Sequence, residues 1–268
     1  MTLPELQGVA RTLFAPLSVR ALESMRPDAI LHDPLAVELF HALGDNRNLL
    51  MGMSNHDQFF VAMRARQFDR FARSFLDRNP GGLVVDIGCG LDTRFDRLDN
   101  GQMTWLGLDL PEVIELRRGY LKDAERCQTL AHSMFDLTWL DVVAQMNKPV
   151  IFLAEGVFSY FTETEVKGVI TALAASFPGA ELVFEAYSSL TVNTHKRTST
   201  LLKETGTRAD WAVDDPRQLE AWGLRLLDKW GYFDQREPRL GVFNLLRYIP
   251  LVANANSVLR YSLERRRL

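Results

Sequence analysis

The stretch Val84-Val85-Asp86-Ile87-Gly88-Cys89-Gly90-Leu91-Asp92-Thr93-Arg94 sets an apolar, β-branched run directly against a glycine-rich turn. It reads as a buried strand opening into a loop whose glycines let the main chain approach a ligand closely, because glycine has no Cβ. An ordinary tight turn can also carry a G-x-G pair, so the neighbouring residues decide the meaning. The third glycine of a dinucleotide fingerprint would fall at position 93, where this chain has Thr93. That glycine is what permits close helix packing beside a pyrophosphate. Asp86, ending the run, would repel phosphates and welcome a cation. Both features weigh against a nicotinamide cofactor and the oxidoreductase it would serve.

On the C-terminal side of this stretch, short apolar runs alternate with longer helical ones, the signature of βαβ units. Strands are expected at 83–87, 103–109, about 126–131, 150–155 and 181–186, with helices at 111–124, 138–146 and 163–177. On its N-terminal side, residues 3–78 show helical spacing, as in Phe60, Met63, Phe68 and Phe71, broken at Arg26-Pro27, Asp33-Pro34 and Asn79-Pro80. In the last third, 216–222 reads as helix, 225–230 and 257–263 as strands of an antiparallel edge, and 238–256 as a helical cap over a pocket. The expected fold is α/β: a doubly wound, Rossmann-like, seven-stranded, mostly parallel sheet with an antiparallel C-terminal edge. One domain is expected, with a helical extension over 1–80, a cofactor-binding core over 81–187, and edge strands with a substrate cap over 188–268. A chain of 268 residues suits a single core of this kind.

The 31 basic and 34 acidic side chains give no field that would draw the protein onto nucleic acid. The longest apolar runs fall far short of the roughly 20 residues that cross a bilayer. Glu5 and Arg11 interrupt the first apolar stretch and no basic segment precedes it, so no secretory signal is expected and the cytoplasm is the expected compartment. Cys89 and Cys127 are too few for a disulfide framework or a thiolate zinc site. His32, His41, His56, His132 and His195 show no metal-ligand spacing, and no metal is expected.

Nineteen residues beyond Gly90, Asp109 closes Trp105-Leu106-Gly107-Leu108-Asp109, the position from which an acid accepts hydrogen bonds from ribose hydroxyls. A nucleoside is implied, and acids at 86, 109 and 155 suit one that is also cationic. S-adenosylmethionine fits, since it joins a ribose to a sulfonium and an amino acid tail.

Asp86 through Arg94, Asp109-Leu110-Pro111 with Val113-Ile114, Phe135-Asp136-Leu137, and Ala154-Glu155-Gly156-Val157 with Tyr160 together resemble the leucine carboxyl methyltransferase family, which includes bacterial polyketide O-methyltransferases. The segments Arg26-Pro27-Asp28 and His32-Asp33-Pro34-Leu35-Ala36, and the last strand Val258-Leu259-Arg260-Tyr261, resemble it too. The resemblance implies S-adenosylmethionine as cofactor. Gly88 and Gly90 would contact its methionine part through the main chain, and Asp109, with Leu110 beside it, would bind ribose. Asp136 and Leu137 would hold the adenine, Arg64 would pair with the carboxylate, and Glu155 would lie beside the amino acid moiety. Plainer readings stand next to these: Arg66 on a solvated helix face, Asp136 as an N-cap, Cys89 as filler, and 265–267 as a solvated tail.

Methyl transfer from a sulfonium is an in-line displacement that needs positioning more than a protein nucleophile. A carboxylate acceptor needs no general base, whereas a phenol would benefit from one. Tyr160, His132 and His195 are the candidates, although each also reads as a structural or surface residue. The expected acceptor is a small natural product, a polyketide-like carboxylate or phenol. The alternatives are a protein's C-terminal carboxylate and, outside enzymes of this type, a nucleoside-binding protein without turnover.

Overall fold

In the computed structural model, residues 12–44, 50, 53–198 and 210–265 are described, apart from the side chains at 195, 197 and 198. Seven strands form one sheet in the order β3-β2-β1-β4-β5-β7-β6: β1 (Leu83–Ile87), β2 (Thr104–Asp109), β3 (Cys127–Ala131), β4 (Val150–Ala154), β5 (Glu181–Tyr187), β6 (Leu224–Gly231) and β7 (Asn256–Leu263). The first five run parallel, and β7 inserts antiparallel between β5 and β6. Strands β1 and β4 are buried along their whole length, which explains why they read as unbroken apolar runs.

The helical extension comprises α1 (Phe14–Ser24), α2 (Pro34–Ala42) and α3 (Asn55–Arg78). Asp33 caps α2 by accepting from the Ala36 N–H at 3.0 Å, with Pro34 in the first turn. Ser54 and Asp57 close a capping box on α3, each satisfying a donor that the helix start would leave unpaired. One sheet face packs Val84, Trp105, Ile151, Leu153 and Val183 against Phe68, Phe71 and Phe75 of α3. The other packs Val85, Phe152, Leu182 and Phe184 against α6 (Trp139–Gln145) and α7 (Glu163–Ser176). Helices α4 (Arg94–Leu98) and α5 (Pro111–Arg118) follow β1 and β2, and α8 (Ser189–Thr198) follows β5. The sheet is doubly wound, as expected.

Several boundaries differ from those expected. The run 111–124 is helical only to Arg118, because Gly119 ends α5 and an isolated bridge ties Ala124 to Cys127. Residues 216–222 form a 3-10 turn that stops at Gly223 in the left-handed conformation. The expected cap at 238–256 is 3-10 structure over Pro238–Tyr248, broken by Gly241 with φ +49, followed by the short α9 (Pro250–Ala253) and the start of β7. Among the described residues no helix is long and apolar enough to cross a membrane.

Candidate functional site: a row of acids at the strand ends

Residues paired across a parallel sheet point to the same face, and the register lines up Gly88 just beyond β1, Asp109 as the last residue of β2, Glu155 just beyond β4 and Glu185 two residues before the end of β5. Asp86 lies two residues below Gly88 on that face. These acids meet α3, which supplies Arg64, and α4, which supplies Arg94. Such an edge, outside the carboxyl ends of the strands, is where open α/β sheets bind ligands.

The glycine loop is built for close approach. Gly88 and Gly90 have φ of +70° and +45°, and a Cβ on Gly88 would lie 2.5 Å from Val157 Cγ2. The Gly90 N–H donates to Asp109 Oδ2 at 2.7 Å and the Leu110 N–H to Oδ1 at 2.8 Å. Burial raises the Asp109 carboxyl, while those two donors pull it back. Arg117 donates to the Gly90 and Asp92 carbonyls at 3.0 and 2.7 Å, and Arg20 to the Leu91 carbonyl at 2.9 Å. Thr93, where a dinucleotide loop has its third glycine, is buried and donates to Asp33 at 2.6 Å.

Arg64 is buried on α3. Its Nε donates to Glu155 at 2.9 Å and its Nη1 to Glu185 at 2.7 Å, while Nη2 lies 3.3 Å from where a Cβ on Gly156 would stand. Its expected role as a fork for a ligand carboxylate must therefore use the donors these two acids leave over. Sequence reading gave no role to Arg94, which has no exposed surface and binds Asp69, Asp92 and Glu155 at once. Arg97 joins Asp69, Asp33 and Asp92 to the same network. Against burial, which would raise it, Arg94, Arg97, Arg20 and Arg117 hold the Asp92 carboxyl well below the usual range. Asp86 differs: its Oδ2 is buried without a hydrogen-bond partner, 3.6 Å from Arg94 Nη1. Burial, then the Asp92 charge, pushes its carboxyl well up.

Beyond Glu155 the structure gathers three tyrosines. The Tyr232 hydroxyl donates to Glu185 at 3.0 Å, Tyr187 is hydrogen bonded to Glu185, and Tyr160 shares a hydrogen bond with Thr12. Burial raises all three phenols, and the Glu185 charge raises them further. Glu185 was also missed, although an acid inside Leu182-Val183-Phe184-Glu185-Ala186 is the kind of buried charge that signals a partner.

The remaining candidates take no part in this buried network. Asp136 is exposed and accepts from the Thr138 N–H and hydroxyl at 3.3 and 2.8 Å. It closes a turn ahead of α6 rather than capping it, since Thr138 is the N-cap residue. Leu137 and Phe135 beside it are also exposed, and Phe135 packs edge-on to Phe161. His132, after β3, sits 3.4 Å from Asp136, three strand spacings or about 14 Å from the end of β4. His195 lies on α8, and its side chain is outside the described residues. Arg66 is not on a solvated face: it is ion-paired to Glu237. Cys89 is buried against Gly107 and its thiol is pushed up by burial, which suits a space-filling role. Of the tail, 266 and 267 lie outside the described residues.

The site fits S-adenosylmethionine: a glycine cradle, an acid that closes β2 beside it, a buried carboxyl oxygen without a hydrogen-bond partner, and an acid–arginine pair for a zwitterion. Fold and site are those of an S-adenosylmethionine-dependent methyltransferase. A solved structure from Thermobifida fusca YX, classed among methyltransferases, has the same fold at a TM-score of 0.58, with 14% identity over 98% of this chain and 97% of that one. The chain belongs to the leucine carboxyl methyltransferase family, whose pattern matches residues 14–174. It is 31% identical to the tetracenomycin polyketide synthesis O-methyltransferase TcmP of Streptomyces glaucescens, over 96% of this chain and 97% of that one. It is 30% identical to the S-adenosyl-L-methionine-dependent methyltransferase dpfgK of Gibberella zeae, over 80% and 78%.

Proposed function

We propose that this methyltransferase acts on oxygen, forming the methyl ester of a small, apolar, polyketide-like carboxylic acid. The observation that carries the reading is the set of tyrosines around Arg64 and Glu185. Burial keeps their hydroxyls protonated, so none of the three serves as a base. An acceptor that arrives already ionised needs none. The name of the Streptomyces glaucescens relative, an O-methyltransferase of polyketide synthesis, supports both the oxygen and the compound class.

In this reading Gly88 and Gly90 bring main chain against the methionine part of the cofactor, Asp109 and Leu110 take the ribose, and Asp136 with Leu137 flanks the adenine. Glu155 receives the ammonium, the Asp86 carboxyl lies beneath it, and Arg64 receives the carboxylate. When bound, S-adenosylmethionine supplies a methyl group on a sulfonium, a leaving group that departs as a neutral thioether. The chain's own task is to set the acceptor oxygen about 3–3.5 Å from that carbon and in line with the breaking bond. Tyr160 would orient it. The exposed Val242, Leu245, Tyr248 and Leu251, on the connection between β6 and β7, supply apolar surface for the rest of the acceptor. The two free cysteines suit a reducing cytoplasm.

The test is turnover with three acceptors: an aromatic polyketide acid, the matching phenol without the acid, and a peptide ending in leucine. A base-labile methyl ester on the first is the expected product. Methylation of the phenol alone, or of the peptide alone, would replace this reading with the corresponding one.

A further inference from the structure

Arg64 reaches the site on a long side chain with several rotatable bonds, and fixing such a chain carries an entropic cost. One carboxylate holding a single nitrogen does not fix the plane of a guanidinium. Two, on different nitrogens, can. Glu155 takes Nε at 2.9 Å and Glu185 takes Nη1 at 2.7 Å, which leaves Nη2 outside both pairs, and the guanidinium lies against Gly156, with Nη2, Nη1 and Cζ 3.3, 3.5 and 3.6 Å from where a Cβ would stand. Glu155 is itself bound by Arg94, and in the reading above it also faces the cofactor's ammonium. Glu185 has no such second duty toward a ligand. Its Oε1 is anchored by Tyr232 at 3.0 Å, and Tyr232 is buried and packs edge-on against Phe60 of α3, two ring centroids 5.4 Å apart.

We propose that Glu185, anchored by Tyr232, is a positioning residue that holds the Arg64 guanidinium in the orientation that receives the cofactor's carboxylate. This rests on the assignment of that carboxylate to Arg64. Glu185 touches neither the cofactor nor the acceptor in this account; it acts through Arg64. Without it, the guanidinium keeps only Glu155 and turns with that acid, so Nη2 no longer points at a fixed place. An amide at 185 retains an acceptor oxygen for Nη1 and keeps the orientation.

The experiment is calorimetric titration with two probes, S-adenosylhomocysteine and its amine analogue lacking only the carboxylate. Glu185→Ala is expected to weaken S-adenosylhomocysteine about tenfold and to leave the amine analogue within about twofold, and Glu185→Gln to recover most of the loss. Tyr232→Phe, a milder change that keeps the ring packing, is expected to cost about two- to threefold on S-adenosylhomocysteine alone. Equal losses on both probes, no loss on either, or a glutamine no better than alanine would overturn the proposal. If Glu185→Ala does not fold, unchanged S-adenosylhomocysteine affinity in Tyr232→Phe overturns it. The underlying assignment has its own signature: Arg64→Ala should bring S-adenosylhomocysteine down to the level of the amine analogue. A ratio unchanged in that variant would refute the assignment itself.

Discussion

The Gly90 N–H donates to Asp109 Oδ2 at 2.7 Å, so the second glycine of the loop and the acid ending β2 are physically one unit. The bond crosses from one βα turn to the next and sets the loop's height above the sheet. Asp109 thereby shapes the loop, and in the proposed reading its remaining lone pairs accept from a ribose.

Asp109→Ala is therefore expected to weaken S-adenosylmethionine by about 1.5–3 kcal/mol, one to two decades in affinity, while the protein stays folded. Calorimetry alongside a thermal melt checks this. An unchanged dissociation constant in a folded variant would leave the acid a purely structural role.

Gly88→Ala would meet two obstacles, a φ of +70° and Val157 Cγ2 at 2.5 Å from the new methyl. A loss of about 1–3 kcal/mol in stability and of measurable S-adenosylhomocysteine binding is expected. Adding Val157→Ala should return part of the stability, because it opens the space, but not all, because the backbone conformation stays unfavourable for a side chain. Full recovery in the double variant would show that crowding alone matters there.

Asp86 gives a pH signature of definite sign. Its carboxyl is raised by burial and by Asp92, so the folded state holds the proton more tightly than the unfolded one. That contribution is complete below the unfolded pKa, near 3.9, and is lost as pH rises toward the folded value. Asp86→Asn cannot ionise, so its stability relative to wild type should grow with pH from about 4 upward, by at most about 1.4 kcal/mol per pH unit. Urea denaturation between pH 5 and 8 measures the gap. A gap that narrows with pH would mean that Asp86 is an ionised, paired acid.

The connection between β6 and β7 is expected to border the acceptor. Val242→Ser with Leu245→Ser should raise KM for an apolar acceptor and leave the S-adenosylhomocysteine dissociation constant unchanged. Amide exchange across 238–253 should slow when product and S-adenosylhomocysteine bind together. No change in either observable would place the acceptor elsewhere.

The parallel half of the sheet was legible because each of its strands is a local object. Leu83–Ile87 is buried on both faces and ends on glycine, so the residues themselves declare it. The antiparallel edge was legible as strands, but nothing in 225–230 or 257–263 encodes that β7 slips between β5 and β6. In the site, Gly88, Gly90 and Asp109 stood out because their chemistry lies within one βαβ unit. The roles of Arg94 and Glu185 did not, since each is defined by partners from other elements: Asp69 on α3 and Glu155 after β4 for the first, Arg64 and Tyr232 for the second. Helix 111–124 was read too long because its apolar spacing runs past Gly119, where the helix ends, to Ala124, which is instead bridged to Cys127.

Arg20 of α1 holds the Leu91 carbonyl, Asp33 ahead of α2 receives Thr93, and Asp69 of α3 receives Arg94. Each element of the helical extension thus owns one bond to the loop that follows β1. Anyone recombining relatives to alter acceptor preference inherits a constraint from this. A crossover placed in the turn at Asn79-Pro80 looks harmless in an alignment, yet it would separate donors from acceptors that must come from the same parent. Productive chimaeras should instead carry Arg20, Asp33, Asp69, Thr93, Arg94 and Arg97 across as one inherited block, and take Arg66 with Glu237 and Glu185 with Tyr232 from one parent.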